Sequence, residues 1–360
     1  MIKAYYPAQL EDWWLRYACE QFGCNSIFQK EAQIVAAVQS LSDLFTIRRA
    51  DLIRDYFQDP KLLAAYGLFF FPENFARIQF VIAELLQRGW RPSSQLSVLD
   101  LGAGAGAAAM SISQMLEPHS ISVKALAVDQ SQRSLDVSIQ LVKDLSVHWS
   151  NLEWRTHQAD ILREIPKSER KWDVIVMSFA LNEADSTDSE LRRMVSRCGA
   201  ELSDNGFLLI LEPASQTSSE SLERLRDAID ETTGLHIWAP CLHEFQCPLL
   251  KTKKFWCHEV RKWDAPAALQ YLNRKLQRDI SVLKFSFLVL AKKSPPAVLP
   301  SKNAFRLISP VTRAKGKWIW QGCASDGDAH DYQLLKKQGG IEIKNWERGD
   351  VISAFSAVKS

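Results

Sequence analysis

The sequence predicts an α/β fold built on a parallel sheet wrapped by helices, and three observations lead there. Between residues 96 and 293, short β-rich apolar runs alternate with helical stretches. One such run, ending at Leu101, opens directly into glycines on alternate positions and then a helical segment. The next run closes on an acid, Asp129.

The elements can be taken in order. Residues 1–92 read as a helical N-terminal region, in which Glu11–Phe22, Lys30–Leu44, Ala50–Phe57 and Phe75–Arg88 carry apolar positions three and four apart, with Pro60 and Pro72 punctuating them. The aromatic cluster Tyr66, Phe69, Phe70 and Phe71 is expected to pack this region onto the next, and Arg91 to Ser94 to link the two. Residues 93–293 should hold the sheet, with strands at Ser97–Leu101, Lys124–Asp129, Leu152–Gln158, Trp172–Ser178, Phe207–Glu212 and Phe285–Ala291. Helices such as Ala107–Leu116 and Ser189–Leu202 fill the intervals. The stretch from about 236 to 280 is too long and too rich in Cys, Trp and Lys for a plain crossover, and reads as an insertion. The run Pro295 to Pro300 then breaks the chain. Residues 294–360 should form a small β-rich domain, with Phe305–Pro310, Gly316–Gln321 and Gly340–Lys344 as strands. No internal repeat or low-complexity tract is present.

The composition, 46% hydrophobic and 24% charged over 360 residues, suits one large globular domain with one or two smaller ones. The longest apolar runs fall well short of the ~20 residues a membrane helix needs, so no membrane partner is expected. The first residues include Glu11, Asp12 and Glu20 and resemble neither a secretory nor an organellar leader, so a bacterial cytoplasm is the expected location. Charge is split along the chain: residues 1–250 carry 23 Lys and Arg against 33 Asp and Glu, whereas residues 251–360 carry 21 against 9. A basic final third suggests a polyanionic partner, because clustered cations gain by releasing phosphate counterions; a merely solvated basic face is the bland alternative.

The run Val98-Leu99-Asp100-Leu101-Gly102-Ala103-Gly104-Ala105-Gly106 is the first site candidate. Glycines belong there because the turn is sharp and because a ligand lying on main chain leaves no room for a Cβ. The dinucleotide pattern Gly-x-Gly-x-x-Gly fits poorly, and a degenerate, empty fold is a further alternative. The tighter Gly-x-Gly-x-Gly spacing instead points to the class I S-adenosylmethionine-dependent methyltransferase fold, itself Rossmann-like. Asp129 is placed to accept the ribose hydroxyls, and Asp160 in Gln158-Ala159-Asp160-Ile161 to lie near the adenine. The candidate binding residues are Asp100, Gly102, Ala103, Gly104, Gly106, Asp129, Asp160 and Ser178, with S-adenosyl-L-methionine as cofactor.

No catalytic residue is assigned. After the fourth strand comes Phe179-Ala180-Leu181-Asn182-Glu183, which lacks the Asn/Asp-Pro-Pro-aromatic tetrad that positions an amino nitrogen. Nor does a Pro-Cys pair offer a thiolate for addition to a pyrimidine. Asn182 and Glu183 could orient a substrate or start a helix, and Cys198 reads as a packed small hydrophobe.

Seven cysteines without a leader argue against a disulfide framework. Cys241, Cys247 and Cys257 fall within seventeen residues, a density that suits Zn²⁺ or an iron–sulfur cluster, with buried structural thiols as the alternative. His243, His258 and the distant Cys323 are the choices for a fourth ligand, local spacing favouring a histidine. The Cys-x3-Cys-x2-Cys spacing of radical adenosylmethionine chemistry is absent. Around the cysteines, Lys251, Lys253, Lys254, Arg261, Lys262, Arg274, Lys275 and Arg278 interleave with Trp256, Trp263 and Tyr271, a composition suited to RNA.

Taken together, several segments resemble one family, the methyltransferase-like assembly factors of the mitochondrial small ribosomal subunit and their bacterial relatives. They are Ala65-Tyr66…Phe71-Pro72-x-Asn74, the glycine run, Leu211-Glu212-Pro213, Ala239-Pro240-Cys241…Cys247-Pro248, Trp256-Cys257-His258, and Cys323. The resemblance implies a 4Fe-4S cluster held by Cys241, Cys247, Cys257 and Cys323, in place of the locally favoured histidine. It also implies binding to the small ribosomal subunit and its rRNA, with no DNA expected, either as an rRNA methyltransferase or as a non-catalytic assembly factor. A small-molecule methyltransferase with a structural zinc site is the alternative function.

Overall fold

The computed structural model describes residues 3–46, 56–181, 187–229, 233–252, 255–278, 281–296, 304–337, 341–352 and 358–359. The chain opens with three helices, α1 (Ala8–Phe22), α2 (Glu31–Thr46) and α3 (Pro60–Gln87). There follow β1 (Gln95–Leu101), α4 (Ala107–Leu116), β2 (Ser122–Asp129), α5 (Gln132–Asp144), β3 (Leu152–Gln158), β4 (Trp172–Ser178), α6 (Asp188–Glu201), β5 (Leu202–Pro213) and α7 (Gln216–Asp227). Next come β6 (His236–Ala239), α8 (Pro248–Thr252), β7 (Glu259–Lys262), α9 (Ala267–Lys275) and β8 (Val282–Ala291). The last part holds β9 (Phe305–Leu307), β10 (Thr312–Ala314), β11 (Lys317–Ala324), β12 (Ala329–Leu335), β13 (Val351–Ile352) and β14 (Val358–Lys359). Two compact units result. One comprises Met1–Ala83, Arg91–Asp185 and Lys262–Leu283, the other Glu84–Trp90, Ser186–Arg261 and Lys284–Ser360.

In the first unit four parallel strands run in the order β3-β2-β1-β4. The inner strands β1 and β4 are apolar along most of their length, as strands covered on both faces must be. α1 and α3 pack so closely that a Cβ on Gly67 would sit 1.9 Å from the Trp14 ring, so glycine is required there. Trp14, Phe69, Phe71 and Phe75 are all buried, which places the expected aromatic cluster in the core of this unit.

In the second unit β8 is antiparallel to β5 on one side and to β6 on the other, and β7 also pairs with β8. Part of the expected insertion is therefore sheet. A parallel half in the order 3-2-1-4, and a half in which the last strand runs antiparallel between two earlier ones, are the marks of the Rossmann-like class I methyltransferase fold. The chain's end forms a separate antiparallel sheet, β13-β9-β11-β12-β14 with β10 on β11, around Phe305, Trp320, Tyr332 and Ile343. Among the described residues no helix is long and apolar enough to cross a membrane.

Some expectations change. Pro72 lies inside α3 instead of ending a helix, because the buried rings on either side of it repay the lost hydrogen bond. The segment expected as a strand at Gly340–Lys344 is a 3₁₀ turn over Ile341–Asn345 that inserts Ile343 into the small core. The strand expected at Gly316–Gln321 is β11, which runs on to Ala324 and so includes Cys323. Of the helix expected at Ala50–Phe57 only a 3₁₀ turn at Tyr56–Gln58 belongs to the described residues.

Candidate functional site

The glycine run leaves β1 as a tight cradle. Gly102, Gly104 and Gly106 have φ of +73°, +53° and +89°, and Gly102 and Ala103 both donate to the Val128 carbonyl of β2. The three glycines serve different ends. A Cβ on Gly102 would meet Ala180 at 2.5 Å, and one on Gly106 the Trp154 ring at 2.6 Å, so those positions are closed by packing. A Cβ on Gly104 would find nothing nearer than Phe57 and the Tyr66 hydroxyl, both at 3.8 Å. Space is left in front of Gly104, walled by two aromatic side chains.

Asp129 spans the cradle: one carboxylate oxygen accepts from the Gly104 amide at 2.7 Å, the other from Ser131 at 2.8 Å. Asp100 is 1% exposed; one oxygen accepts from the Ala109 amide at 3.0 Å, and the other has no partner among the described residues. Burial, with Asp129 adding to it, pushes the Asp100 carboxyl up to about 7. Asp160 is exposed, caps the turn at Leu162 and pairs with Arg163 at 3.2 Å. The Ser178 hydroxyl is buried without a partner among the described residues.

Beside the cradle is a polar group in which the sequence singled out Tyr66 and Asn74 but not Glu73 or Arg77. Asn74 Nδ2 donates to the Tyr66 hydroxyl at 3.3 Å; Arg77 donates to Asn74 at 2.7 Å and to Glu73 at 2.6 Å; the Arg77 guanidinium lies 4.8 Å from the centre of the Phe179 ring. Phe179, the residue after β4, has φ of +64°, a conformation unfavourable for a bulky side chain. Asn74 was visible in the Phe-Pro-x-Asn run, but Arg77 reads from sequence as an ordinary helix-surface charge. Asn182 and Glu183 lie outside the described residues. Cys198 is fully buried, and burial pushes its thiol up to about 12.

The second unit assembles the cysteines. Cys241, Cys247, Cys257 and Cys323 line one cavity of about 50 Å³, more room than a single water needs, together with His243, His258, Glu223, Arg226 and Arg306. Each cysteine is tied down separately. The Cys241 carbonyl accepts from Arg88 at 3.1 Å, and the Cys247 amide donates to both oxygens of Asp227 at 2.9 and 3.0 Å. The Cys257 amide donates to Glu223 at 2.5 Å while its carbonyl accepts from Ser286 at 2.8 Å. Cys323 Sγ lies 3.4 Å from His243 Nε2.

Burial and mutual repulsion push up three of the thiols: Cys247 to about 12, chiefly by burial, with Cys257 and Cys323 raised further by burial and by neighbouring cysteines. Thiols so placed ionise only when a cation joins them. Among the described residues no three His, Cys, Asp or Glu side chains converge closely enough to hold a single metal ion. The anchoring residues Glu223 and Asp227 carry no sequence signal, since they come from α7, outside the cysteine-bearing stretch.

In the expected RNA-binding tract Lys251, Lys262, Arg274 and Lys275 are exposed, whereas Arg261, Arg278 and the aromatic side chains make internal contacts. Arg261 pairs with Glu259 at 2.7 Å and Asp350 at 2.5 Å, and Trp263 is buried. Tyr271 and Lys275 both engage Glu31, Arg278 donates to Ser42 at 2.9 Å, and Trp256 donates to the Ala214 carbonyl at 2.9 Å. Lys253 and Lys254 lie outside the described residues.

The strand order and the glycine cradle define a methyltransferase-like protein. Its family can be stated: the model of the family described as mitochondrial small ribosomal subunit Rsm22 matches residues 60–350, and the chain belongs to it. No curated protein matches the chain. Among solved structures, it is similar to an S-adenosylmethionine-dependent methyltransferase from Clostridium acetobutylicum, with 18% identity over 53% of this chain and 61% of that one, at a TM-score of 0.31. It is also similar to a methyltransferase from Geobacter sulfurreducens in complex with S-adenosyl-L-homocysteine, with 13% identity over 60% and 91% of the two chains and a TM-score of 0.35. A third is a protein from Listeria monocytogenes assigned to the class I methyltransferases, with 13% identity over 81% and 91% and a TM-score of 0.42.

Proposed function

We propose that this protein binds S-adenosyl-L-methionine and a 4Fe-4S cluster and acts on small-subunit ribosomal RNA during ribosome assembly. The observation that carries this reading is the convergence of Cys241, Cys247, Cys257 and Cys323 on one cavity, each held by its own polar anchor. A single tetrahedral Zn²⁺ needs four donors about 2.3 Å from one point, whereas a polynuclear cluster spreads its thiolates around a larger volume. Four sulfurs around a void suit the second arrangement. A cluster there would supply a cross-link between β11 and the segments around α8, together with one-electron redox chemistry.

The cofactor reading is supported by the space in front of Gly104 and by Asp129, whose carboxylate accepts from the Gly104 amide; Asp100, Gly102, Ala103, Gly106, Asp160 and Ser178 are the other residues proposed to bind it. Family membership supports the small ribosomal subunit as partner. Turnover is a second reading, and one feature favours it: Phe179, directly after β4, is held at a strained φ with Arg77 over its ring.

Anaerobic purification, an absorption spectrum and iron and zinc analysis provide the test. The expected result is a brown protein with about four irons per chain, lost in Cys323→Ser, that co-sediments with small subunits in a gradient. A colourless, zinc-loaded protein rejects the cluster, and absence from ribosomal particles rejects the assembly role. Transfer of labelled methyl groups to small-subunit precursor RNA decides for the catalytic reading.

A further inference from the structure

α1 ends in a turn that folds the chain back on the helix. Gly23, the residue after it, is left-handed at φ +64° and ψ +56°. Its amide donates to the Glu20 carbonyl at 3.3 Å, and the Cys24 amide donates to the Cys19 carbonyl at 2.9 Å. Two such bonds, one nested in the other, are the Schellman closure of a helix, which brings the side chains of the outer two residues together. Here both are cysteines. Residues joined by a bond of this kind have Cα atoms on the order of 6 Å apart, within the span of about 4.4–6.8 Å that a disulfide bridges.

The two thiols already interact: burial, and after it the hydrogen bond with Cys24, push the Cys19 thiol up to about 11. Both cysteines are half-exposed, whereas Cys198 is fully buried. A Cβ on Gly23 would meet nothing within 4 Å, so that side of the turn is open to a reagent. We propose that Cys19 and Cys24 form a reversible dithiol–disulfide couple, a modification site whose co-substrate is a low-molecular-weight disulfide. One protein thiolate attacks a sulfur of that reagent, whose S–S bond breaks to release one thiol and leave a mixed disulfide on the chain. The second thiolate attacks the protein-side sulfur, the Cys19–Cys24 bond forms, and the second reagent thiol leaves. The cysteines lose two electrons and two protons, and the reagent gains both. The turn is built before the bond forms, so α1 keeps its end. Couples of this transient kind are the disulfides that reducing compartments tolerate. The site is independent of the cofactor and of the cysteines around the cavity.

Trypsin cuts after Arg16 and Lys30, so a single peptide, Tyr17–Lys30, carries both thiols and no other cysteine. The full chain is equilibrated anaerobically in glutathione buffers of rising oxidised fraction, quenched with acid, alkylated and digested, and that peptide is weighed. In the oxidising buffers it should lose both alkylation sites and weigh two hydrogens less than the reduced peptide, and dithiothreitol should restore both sites. Gly23→Val keeps both thiols but disfavours the left-handed turn, and its disulfide-to-dithiol ratio in the same buffer should fall about tenfold. In Cys24→Ser, Cys19 should take one alkyl group or one glutathione. A wild-type peptide that stays fully alkylated, or that carries glutathione without an internal bond, overturns the proposal. So does an undiminished ratio in Gly23→Val, since the turn would then not be what joins the thiols, and so does a Cys19 of Cys24→Ser found bonded to another cysteine of the chain.

Discussion

Only Gly104 among the cradle glycines has room for a side chain, and the space it faces is bounded by Phe57 and Tyr66. Ligand binding and folding should therefore separate between neighbouring positions. Gly104→Ala would cost the fold roughly 1 kcal/mol, for a left-handed φ, yet would place a methyl group in the space proposed for the cofactor. Its affinity for S-adenosyl-L-homocysteine, measured by calorimetry, should fall about tenfold or more. Gly106→Ala drives a Cβ into the Trp154 ring and should lose ~3 kcal/mol in urea unfolding. Wild-type affinity in Gly104→Ala would refute the binding role. The glycine spacing was legible in the sequence because main-chain approach demands it. Their division of labour was not, since it depends on what β3 and the end of β4 bring to each position. The same limit applied to Arg77 and Phe179: their stacking arises only when α3 meets the end of β4.

α4 shows how one element borrows from another. Its N-cap is Gly106, which has no side chain to offer, and the Asp100 carboxylate of β1 accepts from the Ala109 amide instead. The cap carries a pH signature. Folding raises the Asp100 carboxyl from 3.8 to about 7, so between those values the folded chain keeps a proton that the unfolded chain has released. Stability must then fall as pH rises through that window, with the full loss, of the order of 4 kcal/mol, present above pH 7. Asp100→Asn retains an acceptor for Ala109 without the charge, and should flatten unfolding free energy against pH between 4 and 7. A variant with the wild-type slope would show that Asp100 is not the group responsible. Elements such as β3, with its local alternation, and β4, a continuous apolar run, were readable to the residue. α3 was not, because proline marks a break unless packing on both sides of it pays for the missing bond, and that packing lies outside any local window.

At the scale of the molecule, one cation of the basic end of the chain is committed wholly to the interior. Arg306 of β9 is 3% exposed and donates to Glu84 at 2.8 and 2.9 Å, to Glu259 at 2.7 Å and to the Pro240 carbonyl at 3.1 Å. Although burial alone would raise it, the Glu84 carboxyl is held down to about 2 by Arg306 and Arg88. One guanidinium thus joins the end of α3, the strand β7, the residue before Cys241 and the first strand of the small sheet. Counting charges along the sequence finds these groups but cannot pair them, because Arg306 and its carboxylate partners come from three separate segments. Arg306→Met keeps the volume and removes the charge, leaving buried carboxylates short of a partner, and should cost about 3 kcal/mol in urea unfolding. Glu259→Gln alone should cost less, since Arg306 retains Glu84. The double variant separates coupling from simple loss of packing: if the pair interacts as drawn, it should be more stable than the sum of the single changes by at least ~1 kcal/mol. Strict additivity would mean that Arg306 acts through its contact with Phe287, 5.5 Å from the ring centre, and not through its charge.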